Sequence, residues 1–101
     1  MSAYVVSRLE IRDSEAMRRY VEEAPRVVEA FGGRYLFRGD KVEALEGIWE
    51  HDRMVIVEFE SREAALAWFG SEEYRSLREL RRSAAESVIL LADGAGQTAG
   101  A

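Results

Sequence analysis

Residues 53–60, Arg-Met-Val-Ile-Val-Glu-Phe-Glu, carry the strongest strand signal in the chain, and the strand they predict is apolar on both faces. Successive side chains of an extended chain point to opposite sides. Val55, Val57 and Phe59 therefore share one face, and Met54 and Ile56 share the other with Glu58. Residues 88–91, Val-Ile-Leu-Leu, are again apolar on both sides. A sheet with water on one face alternates apolar and polar residues instead. Both strands need cover on two sides, and a chain of 101 residues is long enough for one domain only.

The rest of the chain supplies cover for one side. Residues 3–11 alternate as a strand, with Val5, Ser7, Leu9 and Ile11 on one face and Tyr4, Val6, Arg8 and Glu10 on the other. Asp13-Ser14 offers an N-cap. Over 14–31 the apolar residues Met17, Tyr20, Val21, Ala24, Val27, Val28 and Phe31 recur at helical spacing. Pro25 inside that stripe predicts a kink or a short break, and Gly32-Gly33 predicts the end of the helix. Arg34–Arg38 reads as a strand, Gly39-Asp40 as a bend, and Val42–Ile48 as a further extended piece before a loop at 49–52. After the strand at 53–60, Ser61 caps a short helix to Phe69. Ser71 caps another, with Tyr74, Leu77, Leu80 or Arg81, and Ala84 on one face. Ser87–Ala92 is the last strand. The order is β-α-β-β-α-β with the second helix in two pieces, the ferredoxin-like α+β arrangement of an antiparallel sheet with helices on one face. Residues 1–92 form this domain, and 93–101 read as a C-terminal tail dispensable for folding.

The uncovered face predicts a homodimer through the sheet faces, because no element is left over and two-fold assembly is the commonest solution. Alternation assigns Tyr4, Val6, Arg8, Arg34, Leu36, Arg38, Met54, Ile56 and Glu58 to that face. Ionisable groups on a covered surface must be paired or wet, so the set implies an ion-pair network or a cavity between the sheets.

Composition narrows the partners. The net charge is −5, and Lys and Arg form no basic stripe, which excludes a nucleic-acid partner. The one basic concentration, Arg75, Arg78, Arg81 and Arg82, reads as a solvated helix face. Cysteine is absent, so disulfides, a thiolate nucleophile and a zinc–thiolate site are excluded. No spaced cluster supports a metal, and no cofactor is expected. No apolar run approaches a membrane span, and no charged leader precedes the first strand, so the expected compartment is the cytoplasm.

Several short motifs together resemble a known family. They are Ala3-Tyr4, Asp13, Tyr20, Pro25, Gly32-Gly33-Arg34-Tyr35-Leu36 with Arg38-Gly39, Leu45-Glu46-Gly47, Glu58-Phe59 with Ser61, Trp68-Phe69 with Ser71, and Glu73-Tyr74. Over residues 3 to about 92 the chain resembles the family of domain of unknown function 1330, in the dimeric α/β-barrel superfamily. Asp40 stands where a second glycine is usual, and Glu60 and Glu72 where proline is common. The resemblance implies ferredoxin-like sheets paired face to face and leaves activity open.

Candidate chemistry follows from the charged and aromatic residues. Glu58, a carboxylate in an apolar strand, is the candidate base, and Arg38 the candidate clamp for a carboxylate or enolate. Alternation places the two on one face, with Arg8 and Arg34 nearby as substrate-binding candidates. Trp49, Tyr20 and Tyr74 are candidates for an aromatic pocket wall. His51, the single histidine, sits in a polar loop and reads as a solvated residue rather than a base or a haem ligand. Two classes remain. One is a small cofactor-free enzyme (isomerase, cyclase or monooxygenase-like) acting on an organic acid or aromatic. The other is a non-catalytic small-ligand-binding or accessory dimer.

Overall fold

The computed structural model describes residues 2–94. The chain runs β1 (Ala3–Ile11), α1 (Ser14–Ala30), β2 (Arg34–Gly39), β3 (Arg53–Phe59), α2 (Arg62–Phe69), α3 (Glu72–Ala84) and β4 (Ala85–Asp93). The sheet is antiparallel throughout, in the order β2-β3-β1-β4. This is the ferredoxin-like α+β arrangement that the pattern predicts.

Each helix starts where its capping residue allows. Asp13, Ser61 and Ser71 accept the backbone N–H groups of Ala16, Ala64 and Tyr74 at 3.1 Å each, satisfying donors the first helical turn leaves free. α1 ends at Gly32, whose φ of 81° is the left-handed conformation that glycine adopts without strain. Gly33 follows for a different reason. A Cβ there would lie 2.6 Å from Val28 Cγ1 and 2.8 Å from Phe59 Cε1, so the chain crosses the core too closely for a side chain. Gly33→Ala is expected to destabilise the fold by about 1–3 kcal/mol through overpacking. Gly39→Ala, with only the Phe37 ring within reach at 3.8 Å, should leave the melting temperature nearly unchanged.

The core lies between the helices and one sheet face. Val5, Val57 and Phe59 meet Ala24, Val27, Val28, Trp68, Tyr74 and Leu77, and Leu9 meets Met17, Ala84 and Ala85. On the opposite face Leu36, Val88 and Leu90 remain 47%, 40% and 47% exposed.

Four local expectations need correction. Pro25 does not break α1, which is helical without interruption from Ser14 to Ala30; Met17 before the proline and Val27 and Val28 after it are all buried, and that packing outweighs one missing hydrogen bond. Residues 42–48 form no strand, and Leu45 and Ile48 stand 95% and 86% exposed. β4 begins two residues before Ser87 because Ile11 and Glu10 pair with Ala85 and Glu86. It also runs one residue past Ala92: Asp93 pairs with Ala3, and Gly94 N–H donates to the Ser2 carbonyl at 2.9 Å. The remainder of the expected tail, 95–101, lies outside the described residues.

Candidate functional site

Strand β2 decides which charged side chains share a space. Arg34 pairs with Glu58 and Tyr35 with Val57; then the register slips, and Phe37 pairs with Ile56 and Arg38 with Val55. Leu36 is the extra residue of a β-bulge. Two residues opposite one shift the alternation of everything after them. Arg38 therefore stands on the helix-side face with Tyr35 and Val55, and its guanidinium lies 4.9 Å from the centre of the Tyr35 ring. Glu58 stands on the open face. The expectation that Glu58 and Arg38 share one enclosed space is overturned by that single residue.

On the open face Glu58 is already partnered. Arg34 Nη2 donates to its Oε1 at 2.6 Å and the Tyr4 hydroxyl to its Oε2 at 3.3 Å. The Arg34 hydrogen bond first, then those of Ser2 and Tyr4, hold the carboxyl below its ordinary value of 4.5. Arg8 shares this face, paired with Met54, but four positions along β1 from Tyr4 it is about 13 Å from Glu58. A carboxyl held low in the folded state stabilises that state above its unfolded value, and the gain disappears as pH falls through the lowered native value. Glu58→Gln should therefore melt below the wild type at neutral pH, with the gap closing as the solution is acidified below 4.5. A gap that persists or widens in acid would contradict the pairing.

The helix-side face holds the other candidates. A narrow cavity of about 30 Å³ lies between α1, α3 and the sheet, lined among others by Tyr20, Tyr35, Arg38, Arg53, Trp68 and Arg81. Tyr20 projects from α1 and Tyr74 from α3. Their hydroxyls share one short hydrogen bond, with the rings edge to face at 6.3 Å. Arg81 Nε donates to the Tyr74 hydroxyl at 3.4 Å. Burial, then the neighbouring Tyr74, pushes the Tyr20 phenol well above its ordinary value of 10.0, so Tyr20 stays protonated at neutral pH. Two hydroxyls have two protons and spend one on their mutual bond; the other remains to be donated. The Trp68 indole Nε1 is buried without a partner among the described residues. Burial also raises the Tyr35 phenol, and burial and then Arg38 lower the Arg53 guanidinium. Among the described residues no aspartate, glutamate or histidine lines the cavity. The polar side chains present are hydroxyls, guanidiniums and an indole, an array suited to negative charge on a ligand.

Of the sequence candidates, Tyr20 and Arg38 thus line this cavity, and Tyr74 meets it only through its hydroxyl bond to Tyr20; Glu58, Arg34 and Arg8 lie across the sheet from it. Trp49 does neither. It stacks on His51 in the loop before β3, with ring centres 4.9 Å apart. Arg81 is the residue the sequence leaves open, between the apolar stripe of its helix and the basic face with Arg75, Arg78 and Arg82: it is 4% exposed, not part of a solvated face. Its spacing of four from Leu77 and three from Ala84 is the available signal. Among the described residues no group of three His, Cys, Asp or Glu is placed to hold a metal ion, and no helix is long and apolar enough to cross a membrane.

The family model described as domain of unknown function (DUF1330) matches residues 2–95. Among solved structures, the chain is similar to RPA0582, a protein of unknown function from Rhodopseudomonas palustris, with a TM-score of 0.77 at 20% identity, covering 92% of this chain and 82% of that one. It is also similar to a dimeric ferredoxin-like protein of unknown function from Jannaschia sp. CCS1 (TM-score 0.69, 12% identity, 93% and 100% covered). A third likeness is to SnoaB, a cofactor-independent oxygenase from Streptomyces nogalater (TM-score 0.61, 14% identity, 99% and 98% covered). No curated protein sequence matches. At these identities the structural likeness establishes the fold.

Proposed function

The chain belongs to the DUF1330 family, a family defined without an activity, and from that premise we propose that it is a homodimer joined through the open sheet faces, each protomer holding a small organic acid or phenol against its helix-side cavity. The chemistry proposed is that of a cofactor-free enzyme, of isomerase, cyclase or monooxygenase-like type, that stabilises an oxyanion of its substrate. One observation carries this reading: Tyr20, with Arg81 and Trp68 in the wall of a cavity that no carboxylate of the described residues lines, shares a hydroxyl bond with buried Tyr74, and the pair retains a proton to donate. Donors fixed in place before reaction, in a site shielded from water, favour developing negative charge. The likeness to SnoaB agrees with it at the level of fold, which is an analogy. In this reading Arg38 sits at the cavity mouth, and Glu58 with Arg34 belongs to the dimer face.

The test uses phenol and 4-hydroxybenzoate as probes. The wild type should show a saturable rise in melting temperature, and Tyr20→Phe and Tyr74→Phe, which keep the rings in the core, should each lose most of it. An undiminished rise in the double variant would refute the hydroxyl pair as the site. The lack of any Asp, Glu or His along the cavity favours a second reading, a non-catalytic ligand-binding dimer. Mass spectrometry of the probes after incubation in air separates the two: unchanged probe that is nonetheless bound supports the binder.

A further inference from the structure

The helix-side cavity, at about 30 Å³, has room for one end of the ligand class proposed above, and a larger space adjoins it. β4 is an edge strand, and an open cleft of about 430 Å³ lies between its first half, the end of α3 and Phe69. That is within the range of about 300–1,000 Å³ usual for small-molecule sites. Arg81 lines both the cleft and the inner cavity, so it is their shared wall.

Two polar groups at that wall lack what burial demands. The Arg81 side chain is 4% exposed, yet no carboxylate among the described residues lies within ion-pair distance. Among the described residues its one hydrogen bond leaves from Nε to Tyr74, at a long 3.4 Å, which leaves the paired Nη groups for another partner. A guanidinium offers five N–H donors in a fork that fits a carboxylate. The Ser87 hydroxyl, on the same cleft, is buried with no partner among the described residues. The charge of the missing group follows from its neighbours. Arg12 is already bonded to Glu86, and Arg82 is exposed and solvated. One desolvated positive charge is left, next to an acidic residue that disfavours a dianion.

From this geometry we propose that the ligand is a monocarboxylate, and that it enters by the β4 cleft. Its carboxylate is seated on Arg81 with Ser87 as the second donor, and its apolar body lies against Phe69 and Ile89. This rests on the reading of the Tyr20–Tyr74 hydroxyl pair as the donors that the ligand's oxygen end meets beyond Arg81.

Isothermal titration of the full chain with benzoate, its neutral isostere benzamide, phenyl phosphate and phenol tests it. Benzoate should bind the wild type at least tenfold more tightly than benzamide and than phenyl phosphate. Arg81→Met, which removes a buried charge without a carboxylate partner and should still fold, is expected to lose at least tenfold in benzoate affinity. Ser87→Ala should lose severalfold, and Arg81→Lys should fall between wild type and Arg81→Met. Equal binding of benzoate and benzamide, preference for phenyl phosphate, no benzoate binding at all, or full benzoate affinity in Arg81→Lys and Ser87→Ala would each overturn the proposal. Phenol binding that depends on Tyr74, together with benzoate binding that is absent or indifferent to Arg81→Met, would overturn it while leaving the cavity reading intact. Arg81-dependent benzoate binding that is indifferent to Tyr20→Phe and Tyr74→Phe would do the reverse.

Discussion

Light scattering at micromolar concentration is expected to return twice the chain mass for the wild type, and the mass of a single chain for Ile56→Glu. Ile56 occupies the middle of the open face: it pairs with Val6 on β1, and Val6 pairs in turn with Leu90 on β4. Leu90, Val88 and Leu36 stay largely exposed around them, on a face that no helix of the chain covers. Water against that surface is unfavourable by roughly 25 cal/mol per Å² of apolar area, and a second copy of the same face removes it. A two-fold axis presents each residue twice, so one substitution buries two carboxylates that have no partner. Each costs several kcal/mol, and dimer affinity should fall on the order of a thousandfold or more. Leu66→Glu is the control, because Leu66 is 55% exposed on α2, on the other side of the sheet, and should leave the dimer mass unchanged. A monomeric wild type, or a dimeric Ile56→Glu, would sink the face-to-face assembly.

The features legible in the sequence are those set by local chemistry and by period. Asp13, Ser61 and Ser71 cap helices because their side chains reach an N–H three residues on, and that spacing is visible in the chain. The two-faced strands at 54–59 and 88–91 exposed the need for a cover that the fold itself does not provide. What stayed hidden depends on contacts between distant segments. Arg81 was ambiguous because Leu80 and Arg81 both suit the stripe of α3; only the packing of Tyr74 against Tyr20 on α1 decides that the arginine turns inward. The stretch Val42–Ile48 has strand-forming residues but finds no partner strand, so its Leu45 and Ile48 remain in solvent. The separation of Glu58 from Arg38 is the sharpest case. Counting by twos from Arg34 is correct at Arg34 and wrong at Arg38, because a bulge has no reliable signature in residue type.

Removing Leu36 should leave the protein folded, whereas removing Ile56 should abolish cooperative unfolding. Without Leu36, the run Tyr35-Phe37-Arg38-Gly39 alternates regularly opposite Val57, Ile56, Val55 and Met54, the partners that Tyr35, Phe37, Arg38 and Gly39 already have. Each side chain keeps its face, and Arg38 keeps its place against Tyr35 at the cavity. The loss is the local twist that a bulge adds, on an edge strand that makes one set of pairings. Ile56 lies in β3, which pairs with β1 on one side and β2 on the other. A deletion there sends one half of the strand to the wrong face. If the half that turns carries Val57 and Phe59, 3% and 0% exposed, about 1.5–3 kcal/mol of burial is lost for each, and the cavity they leave adds more. If the other half turns, Val55 leaves the core side and the registers of Met54 with Arg8 and Arg38 with Val55 are broken. Either route removes a large part of the 5–15 kcal/mol that holds a small domain together. Circular-dichroism melting of the two deletions decides the matter: a sigmoidal transition for the Leu36 deletion and none for the Ile56 deletion is the expected pair. Equal loss of structure in both would mean that Leu36 does more than take up one residue of register, and the account of why Arg38 and Glu58 face apart would fail with it.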